Sequence, residues 1–287
     1  MTGRVIKGLG GFYTVYTDNG ETVICRARGR FRKDGLSPFP GDIAQISRLP
    51  DGTGRLDEIL PRRNVFIRPP VANLDALVLV ASLAPPRSTT FWIDRILAVA
   101  RQKGAAPILC FNKADLEAGV DMDGLTALYR DIGCAVIRAS AVTGEGTDEL
   151  RQAVKGMVVA FAGHSGVGKS SLLNRLLPGI ALPVGEVSQK LGRGRHTTRH
   201  VELFALDGHG GAWVADTPGF SAFDPEMMDM AERAELPKLF PEFERCDCRF
   251  RDCVHINEKD CGVRDAVDAG VVARSRYDSY RRLFEKV

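Results

Sequence analysis

A glycine-rich stretch in the middle of the chain has the residues needed to hold nucleotide phosphates. It reads GHSGVGKS, fits the pattern G-x-x-x-x-G-K-[ST], and lies between a predicted strand and a predicted helix. The glycines let backbone N–H groups turn towards phosphate oxygens, and the following helix adds its positive end. Lys169 is expected to reach the β- and γ-phosphates and Ser170 to bind Mg²⁺. The predicted binding residues of this loop are Gly163, His164, Ser165, Gly166, Val167, Gly168, Lys169, Ser170 and Ser171.

A second motif indicates which base accompanies those phosphates. It follows a predicted strand that ends at Phe111, so it lies at the carboxyl edge of a sheet, where ligands bind. An aspartate there accepts hydrogen bonds from N1–H and the exocyclic amine of guanine, whereas adenine offers no such pair of donors. Sites of this type discriminate by roughly 10⁴–10⁵. The motif, which favours GTP and GDP as ligands, consists of Asn112, Lys113, Ala114 and Asp115.

A third loop completes the predicted base site. Ser140 and Ala141 follow the predicted strand at residues 135–139. A backbone N–H of this loop is expected to meet the O6 atom of guanine. These two residues alone are not a specific motif, and only their position after the strand indicates a base-binding loop.

Two further segments resemble the switches of a GTPase. Asp216 and Gly219 fit D-x-x-G after a predicted strand; Asp216 would hold Mg²⁺ through water, and the Gly219 N–H would sense the γ-phosphate. The polar, glycine-containing segment at residues 188–199 suits a switch that orders around Mg²⁺ and triphosphate. Thr198 is favoured slightly over Thr197 as the Mg²⁺ ligand.

The residue after Gly219 is Phe220, where many GTPases have a glutamine that orients the attacking water. Phenylalanine cannot orient water, so slow intrinsic hydrolysis is expected, with help from a partner or from another residue. His196 on the first switch is the candidate within the chain, and the alternative is that His196 is an ordinary loop residue.

The order of these motifs is permuted relative to ordinary GTPases. The base-binding loops precede the phosphate loop, and the switches come last. All loops still lie at one edge of one sheet, and rejoining the chain elsewhere is tolerated because domain termini are often close. The second switch leads directly into the C-terminal region, so we hypothesise that loss of the γ-phosphate pulls on that region. Identical C-terminal hydrogen exchange with GDP and a GTP analogue would contradict this.

Four of the seven cysteines lie close together near the C-terminus, and cysteine clusters without an export signal are more often metal-binding than disulfide-bonded. Three thiolates and one imidazole predict a closed, structural Zn²⁺ site. Cys246 is a rival for Cys248, and reduced cysteines in a loop are the alternative to a metal site. The predicted ligands are Cys248, Cys253, His255 and Cys261. The other cysteines are predicted to be core residues: Cys25, Cys110 and Cys134.

The elements that position these residues divide the chain into three predicted domains. Residues 1–68 read as four or five short strands around the hairpin signal Asp18-Asn19-Gly20, which predicts an OB-like or SH3-like β-barrel. Residues 69–222 alternate six strands with helices, which predicts a doubly wound P-loop α/β domain. Ser88 is expected to cap its first helix, which runs through Lys103 and ends at Gly104. Residues 223–287 are polar and helical and contain the cysteine cluster.

Charge and hydropathy exclude some classes of protein. The 287 residues contain no apolar run near the roughly 18 residues that a membrane span needs, and the N-terminus lacks the pattern of a signal peptide. We therefore expect a cytoplasmic protein that does not contact membranes. Residues 1–68 carry 12 Lys and Arg against 7 Asp and Glu. This excess, with the Arg-rich segment 26–33 around Phe31, favours RNA contact over a purely structural barrel.

Together, the segments GHSGVGKSSLLN, GRGRHTTRHVEL, DTPGF and CRFRDCVHINEKDC resemble the RsgA (YjeQ-type) family of circularly permuted GTPases of small-ribosomal-subunit assembly. The resemblance covers nearly the whole chain. It implies an N-terminal OB fold, a permuted GTPase domain and a C-terminal zinc domain. It also implies GTP hydrolysis stimulated by the small (30S) ribosomal subunit, rRNA contact through the outer domains and release after hydrolysis.

Two other functions remain open. A GTP-gated RNA-binding module with negligible hydrolysis is compatible with Phe220, and turnover with and without ribosomal subunits would distinguish it. An ATP-using kinase is disfavoured by Asp115, and nucleotide competition would exclude it. We expect a monomer.

Overall fold

A computed structural model describes residues 1–29, 31, 35–67, 69–116, 119, 121–177, 201–206, 211–216 and 231–287. Within these residues, eleven strands form one continuous sheet and two more form a small hairpin. The strands are β1 (Thr2–Leu9), β2 (Phe12–Thr17), β3 (Thr22–Ala27), β4 (Ile43–Arg48), β5 (Gly54–Ile59), β6 (Val65–Ile67), β7 (Pro70–Ala72), β8 (Ala76–Ser82), β9 (Ala106–Asn112), β10 (Ala135–Arg138), β11 (Val158–Ala162), β12 (Glu202–Ala205) and β13 (Trp213–Asp216).

Strands β1 to β5 close into a five-stranded, OB-like barrel, as predicted. Strand β1 pairs with both β2 and β4, and the circuit is completed by the β2–β3, β3–β5 and β4–β5 pairs. The β2–β3 hairpin turns at Asp18-Asn19-Gly20, where Gly20 adopts a φ of +81°. Alternating side chains of the strands fill the barrel core, which includes Val5, Val15 and Leu56.

Strands β8 to β13 form the predicted α/β sheet. Strands β10, β9, β8, β11 and β13 run parallel in that spatial order, and β12 is antiparallel to β13. All seven residues of β8 are buried, because apolar clusters cover both faces of the sheet. The helices are α1 (Thr90–Gln102), α2 (Met122–Asp131), α3 (Thr147–Ala153) and α4 (Lys169–Leu176).

The N-cap of helix α1 is one residue later than Ser88, the cap predicted from the sequence. Thr89 is the N-cap, and its hydroxyl accepts a hydrogen bond from the Trp92 N–H at 3.3 Å. The Ser88 hydroxyl instead accepts from the backbone N–H of Ser82 at 3.1 Å. A serine that closes a loop in this way is unavailable as a helix cap.

The barrel joins the α/β sheet edge to edge through β1. Lys7 on β1 pairs with Glu202 on β12, and their side chains form an ion pair at 2.7 Å. Tyr16 packs edge-on against Trp213, with ring centroids 5.1 Å apart. Neither strand β1 nor this junction was predicted from the sequence, in which the first strand expected begins at Phe12. The β6–β7 hairpin crosses the predicted domain boundary at residue 68.

The C-terminal region is helical, as predicted. It contains two short 3₁₀ helices, Leu236–Leu239 and Pro241–Arg245, followed by α5 (Gly262–Asp268) and α6 (Arg274–Phe284). Its apolar core includes Phe240, Tyr280 and, from the α/β domain, Ala98 of α1. No helix in the described parts of the chain is long and apolar enough to span a membrane.

Candidate functional site

The phosphate loop connects β11 to α4 and has the geometry of a phosphate cradle. Gly166 and Gly168 have φ values of +82° and +86°, which favour glycine. A Cβ atom at Gly168 would lie 2.4 Å from the Asn112 amide nitrogen, so a larger residue does not fit. The Lys169 side chain is buried, and its ammonium donates to the Gly163 carbonyl at 3.2 Å. The Lys169 side chain therefore spans the phosphate loop from its last residues back to its first.

The N-terminus of α4 suits an anion. Gly168 is the N-cap, no side chain caps this helix, and no acidic residue lies in its first turn. Backbone N–H groups and the helix dipole are thus directed at the loop, with no carboxylate in the first turn of the helix to compete for them.

The Asn112 side chain links its own loop to the phosphate loop and to the loop of Ser140 and Ala141 through hydrogen bonds. It is 3% exposed, its amide nitrogen donates to the Val167 carbonyl of the phosphate loop at 2.7 Å, and its amide oxygen accepts from the Ala141 N–H at 3.0 Å. One side chain thereby fixes the phosphate loop relative to both base loops. Lys113, at a φ of +66°, donates from its ammonium to the Pro85 carbonyl at 2.8 Å.

Asp115 is exposed at the same edge of the sheet and is oriented by Ser140. The Ser140 hydroxyl donates to Oδ1 of Asp115 at 2.5 Å and accepts from the N–H groups of Val142 and Thr143 at 3.2 and 3.1 Å. Ala114 is anchored by its N–H to the Ala139 carbonyl at 3.0 Å. The two base loops are thus joined through the carboxylate predicted to bind guanine.

Two contributions to this site were not found from the sequence. The sequence predicts a role for the backbone of the Ser140 loop but not for the serine hydroxyl. Arg175 of α4 was also not predicted; its guanidinium donates to the Ala141 and Val142 carbonyls at 2.5 Å each and supports the base loop. Arg175 lies more than thirty positions from its partners, and no local pattern indicates such a contact.

The switch residues are described only in part. Strand β13 runs parallel to β11, with Ala160 opposite Ala215, so its carboxyl end and the backbone of Asp216 lie beside the phosphate loop. The Asp216 side chain lies outside the described residues, as do His196, Thr197, Thr198, Gly219 and Phe220.

A candidate metal centre lies in the C-terminal region. The structure brings together the ligand atoms of Cys248, Cys253, His255 and Cys261, all within 4.8 Å of one another. The Cys248 sulfur is 3.4 Å from His255 Nδ1 and 4.0 Å from the Cys261 sulfur, and the Cys261 sulfur is 3.5 Å from the same nitrogen. Cys246 is outside this group, and its thiol lies 3.7 Å from the Glu242 carbonyl oxygen.

These distances fit Zn²⁺. Tetrahedral zinc with Zn–S near 2.3 Å and Zn–N near 2.0–2.1 Å places two sulfurs about 3.8 Å apart and a sulfur and nitrogen about 3.5 Å apart. Burial raises the pKa of the Cys253 thiol to about 12, so a bound cation is needed to stabilise the thiolate form. Burial also lowers the pKa of His255, which favours the neutral imidazole that binds metals. The Tyr277 hydroxyl donates to the His255 carbonyl at 2.7 Å and holds the turn in which His255 adopts a φ of +59°.

Comparisons with known proteins agree with this geometry. The family model described as RsgA GTPase matches residues 59–226, and the model described as RsgA N-terminal domain matches residues 2–56. The chain is 45% identical to the small ribosomal subunit biogenesis GTPase RsgA of Caldanaerobacter subterraneus subsp. tengcongensis, over 100% of this chain and 96% of the relative. It is 41% identical to the protein of the same name from Alkaliphilus metalliredigens, over 99% and 97%.

Two solved structures are similar over nearly the full length. The crystal structure of YjeQ from Thermotoga maritima superposes with a TM-score of 0.85 at 34% identity, covering 99% of this chain and 97% of that one. The structure of YloQ, described as a circularly permuted GTPase, gives a TM-score of 0.82 at 34% identity, covering 99% and 94%. The family-model match over residues 59–226 and the 45% identity to a relative over the whole chain show that the chain belongs to the RsgA family and is a GTPase.

Proposed function

We propose that this chain acts in late assembly of the small ribosomal subunit, hydrolysing GTP to GDP and phosphate with turnover stimulated by the 30S subunit. The main support for GTP binding is the Asn112 side chain, whose hydrogen bonds fix the phosphate loop relative to the base loops. The subunit is suggested by the printed names of full-length relatives.

The nucleotide site is proposed to work as follows. Asp115, oriented by the Ser140 hydroxyl, accepts from guanine, and Asn112 and Lys113 support the base. Residues 163–171 enclose the phosphates, with Lys169 offsetting the charge that spreads over the phosphoryl oxygens in the transition state. Mg²⁺ would be held by Ser170, Asp216 through water, and Thr198, and Gly219 would report the γ-phosphate.

The attacking water needs an orienting group that Phe220 does not supply, since a phenyl ring has neither a donor nor an acceptor. We assign His196 as the candidate within the chain, with the ribosomal subunit placing it or supplying a further group. Subunit-stimulated turnover is the expected consequence, because the group is then positioned only in the complex.

The outer face of the barrel supports rRNA contact. Phe12 is 45% exposed, and the Arg26 guanidinium lies 4.7 Å from its ring centroid. Arg26 is also the register partner of Arg55 on β5, whose guanidinium pairs with Asp57 at 2.9 Å, so the ring adjoins one cation and a second lies one strand further along. Nucleobases stack on such rings and phosphates pair with the cations. Phe31, the aromatic residue singled out from the sequence, is 4% exposed and belongs to the barrel core instead.

The three proposed domains remain residues 1–68, 69–222 and 223–287, with one Zn²⁺ holding the last. Four ligands close the zinc coordination sphere, so this metal has a structural role. Because the proposed partner is a ribosomal subunit, we propose that the protein is cytoplasmic. We also propose that it acts as a monomer.

The test is GTP turnover of the purified full-length chain with buffer, small subunits or large subunits, and Lys169→Ala as control. The proposal expects slow basal turnover, strong stimulation by small subunits only, and no turnover by the control. Negligible turnover with small subunits, despite GTP-dependent binding to them, would instead support the GTP-gated RNA-binding module. Equal stimulation by large subunits would contradict the proposed partner.

A further inference from the structure

The outer side of the phosphate loop rests on the start of α1. The Trp92 indole and the His164 imidazole face each other with centroids 3.7 Å apart and planes 33° from parallel. Pro86, in the loop before α1, lies next to Gly166, because a Cβ atom built there would be 3.0 Å from Pro86 Cγ. Two residues of the phosphate loop therefore contact one continuous surface formed by residues 86–92.

That surface is held in place by its own hydrogen bonds. Ser88 N–H donates to the Ser82 carbonyl at 2.7 Å, and the Ser88 hydroxyl accepts from the Ser82 N–H, which closes the loop between β8 and α1. Lys113 of the base motif donates to the Pro85 carbonyl of this same loop at 2.8 Å. The segment that contacts the phosphate loop is thus tied to both the sheet and the base site.

Helix α1 is also held from its opposite side. Asp94 lies two positions after Trp92, which places the two side chains about 200° apart around the helix. Its carboxylate accepts from the Arg276 guanidinium at 2.6 Å and from the Tyr129 hydroxyl at 2.9 Å, and Arg276 also donates to Glu242 at 2.7 Å. A helix fixed on one face by a buried ion pair provides a rigid base for Trp92 on the other.

We propose that Trp92 is a positioning residue for nucleotide binding, which acts by stacking on His164 and holding the phosphate loop in its phosphate-binding conformation. The indole stacks on a side chain of the loop, so the contribution inferred for it is preorganisation of that loop. Removing the stack lets the loop sample other conformations, and nucleotide binding then includes the cost of reordering it. This inference rests on the proposed role of residues 163–171.

The size of the effect follows from the strength of an aromatic pair. A typical pair corresponds to about a 2- to 10-fold change in an equilibrium constant. Trp92→Leu is therefore expected to raise the Kd for a fluorescent GDP analogue, and the KM for GTP, about 2- to 10-fold, with a smaller change in kcat. Trp92→Phe keeps a flat ring and is expected to recover most of the affinity.

The matched control is Phe91→Leu. Phe91 is the neighbouring residue of α1, but its ring faces the C-terminal helix, with the Arg282 guanidinium 3.9 Å from its centroid. This variant is expected to keep its GDP Kd within about 2-fold of wild type. Melting temperatures of all variants show whether any change reflects lost folding.

A double-mutant cycle separates the stack from a general loss of packing. His164 is exposed, so His164→Ala is expected to fold, and Trp92→Leu/His164→Ala should bind GDP no more weakly than the weaker single variant. Additive losses, or wild-type affinity in Trp92→Leu, would overturn the inference. Failure of wild-type protein to bind GDP at all would instead contradict the proposed function.

Discussion

The buried ion-pair network between α1 and the C-terminal region predicts a large effect for Arg276→Met. Arg276 is 1% exposed and donates to Asp94 at 2.6 Å and to both carboxylate oxygens of Glu242 at 2.7 and 3.3 Å. Methionine has a similar length but no charge, so it leaves two buried carboxylates without a cation. Removing one partner of a buried pair costs about 3–5 kcal/mol. We expect the free energy of opening of α6 to fall by that amount.

The destabilisation caused by Arg276→Met is expected to be larger at high pH than at low pH. Burial raises the pKa of the Asp94 carboxyl, and Arg276 acts in the opposite direction. Without Arg276 the burial effect is opposed less strongly, by the hydrogen bonds from Ser279 and Tyr129, so the folded variant prefers the protonated acid still more. A carboxyl whose folded-state pKa is raised favours folding at low pH, and this contribution is lost as the pH rises through the folded-state pKa. The difference between variant and wild type should therefore shrink as the pH is lowered through the folded-state pKa of Asp94 in the variant.

Hydrogen exchange of the α6 amides measures this opening free energy directly. Arg274→Met is the matched control, because Arg274 begins the same helix and forms an exposed pair with Asp268 at 3.2 Å, a type of pair worth about 0–1 kcal/mol. Neutralising all three buried groups, as Asp94→Asn/Glu242→Gln/Arg276→Met, should recover most of the loss. If Arg276→Met cost no more than Arg274→Met, the network would not hold the C-terminal region on α1.

The remaining predictions concern the other features of the site. Cys261→Ser should lose zinc and the folded C-terminal region, whereas Cys246→Ser should retain one zinc per chain. Metal analysis combined with circular dichroism checks this, and loss of zinc from both variants would contradict the ligand set. Gly168→Ala should abolish GDP binding while leaving the fold intact, because its Cβ would lie 2.4 Å from the Asn112 amide at a φ of +86°; near-wild-type titration calorimetry would refute the cradle geometry. Phe12→Ala should weaken single-stranded RNA binding about 5- to 100-fold, against Val142→Ala as an exposed apolar control, and equal binding by both would remove Phe12 from the interface.

The parts of the site that could be predicted from the sequence are those encoded by contiguous residues. The phosphate loop, the Asn112–Asp115 motif and the cysteine cluster each depend on spacing within a short segment. Backbone geometry over such a length is set by glycines and neighbouring elements, so spacing alone brings the functional groups together. The alternating strands and helices likewise predicted the parallel sheet, since strand and helix periodicities differ.

Contacts between distant segments were not predictable in this way. Arg276 and Asp94 are separated by 182 positions, and nothing local to either marks them as partners. Lys7 of β1 pairs with Glu202 of β12, a residue far along the chain, and nothing local to either segment marks this pairing. The basic residues around Phe31 predict a surface aromatic, but its ring belongs to the barrel core. Burial of this kind depends on packing across the whole domain.

The central claim is that Asp115 selects guanine for a nucleotide held by the phosphate loop. Substituting Asp115→Asn replaces an acceptor with an amide that can donate to the 2-oxo group of xanthine. Competition against a fluorescent GDP analogue, with GTP, ATP and XTP as competitors, measures the choice of base directly. The account predicts that wild type prefers GTP over XTP by roughly 10³-fold or more and that the variant prefers XTP. If Asp115→Asn bound GTP as tightly as wild type, Asp115 would not contact the base, and the account of the site would be wrong.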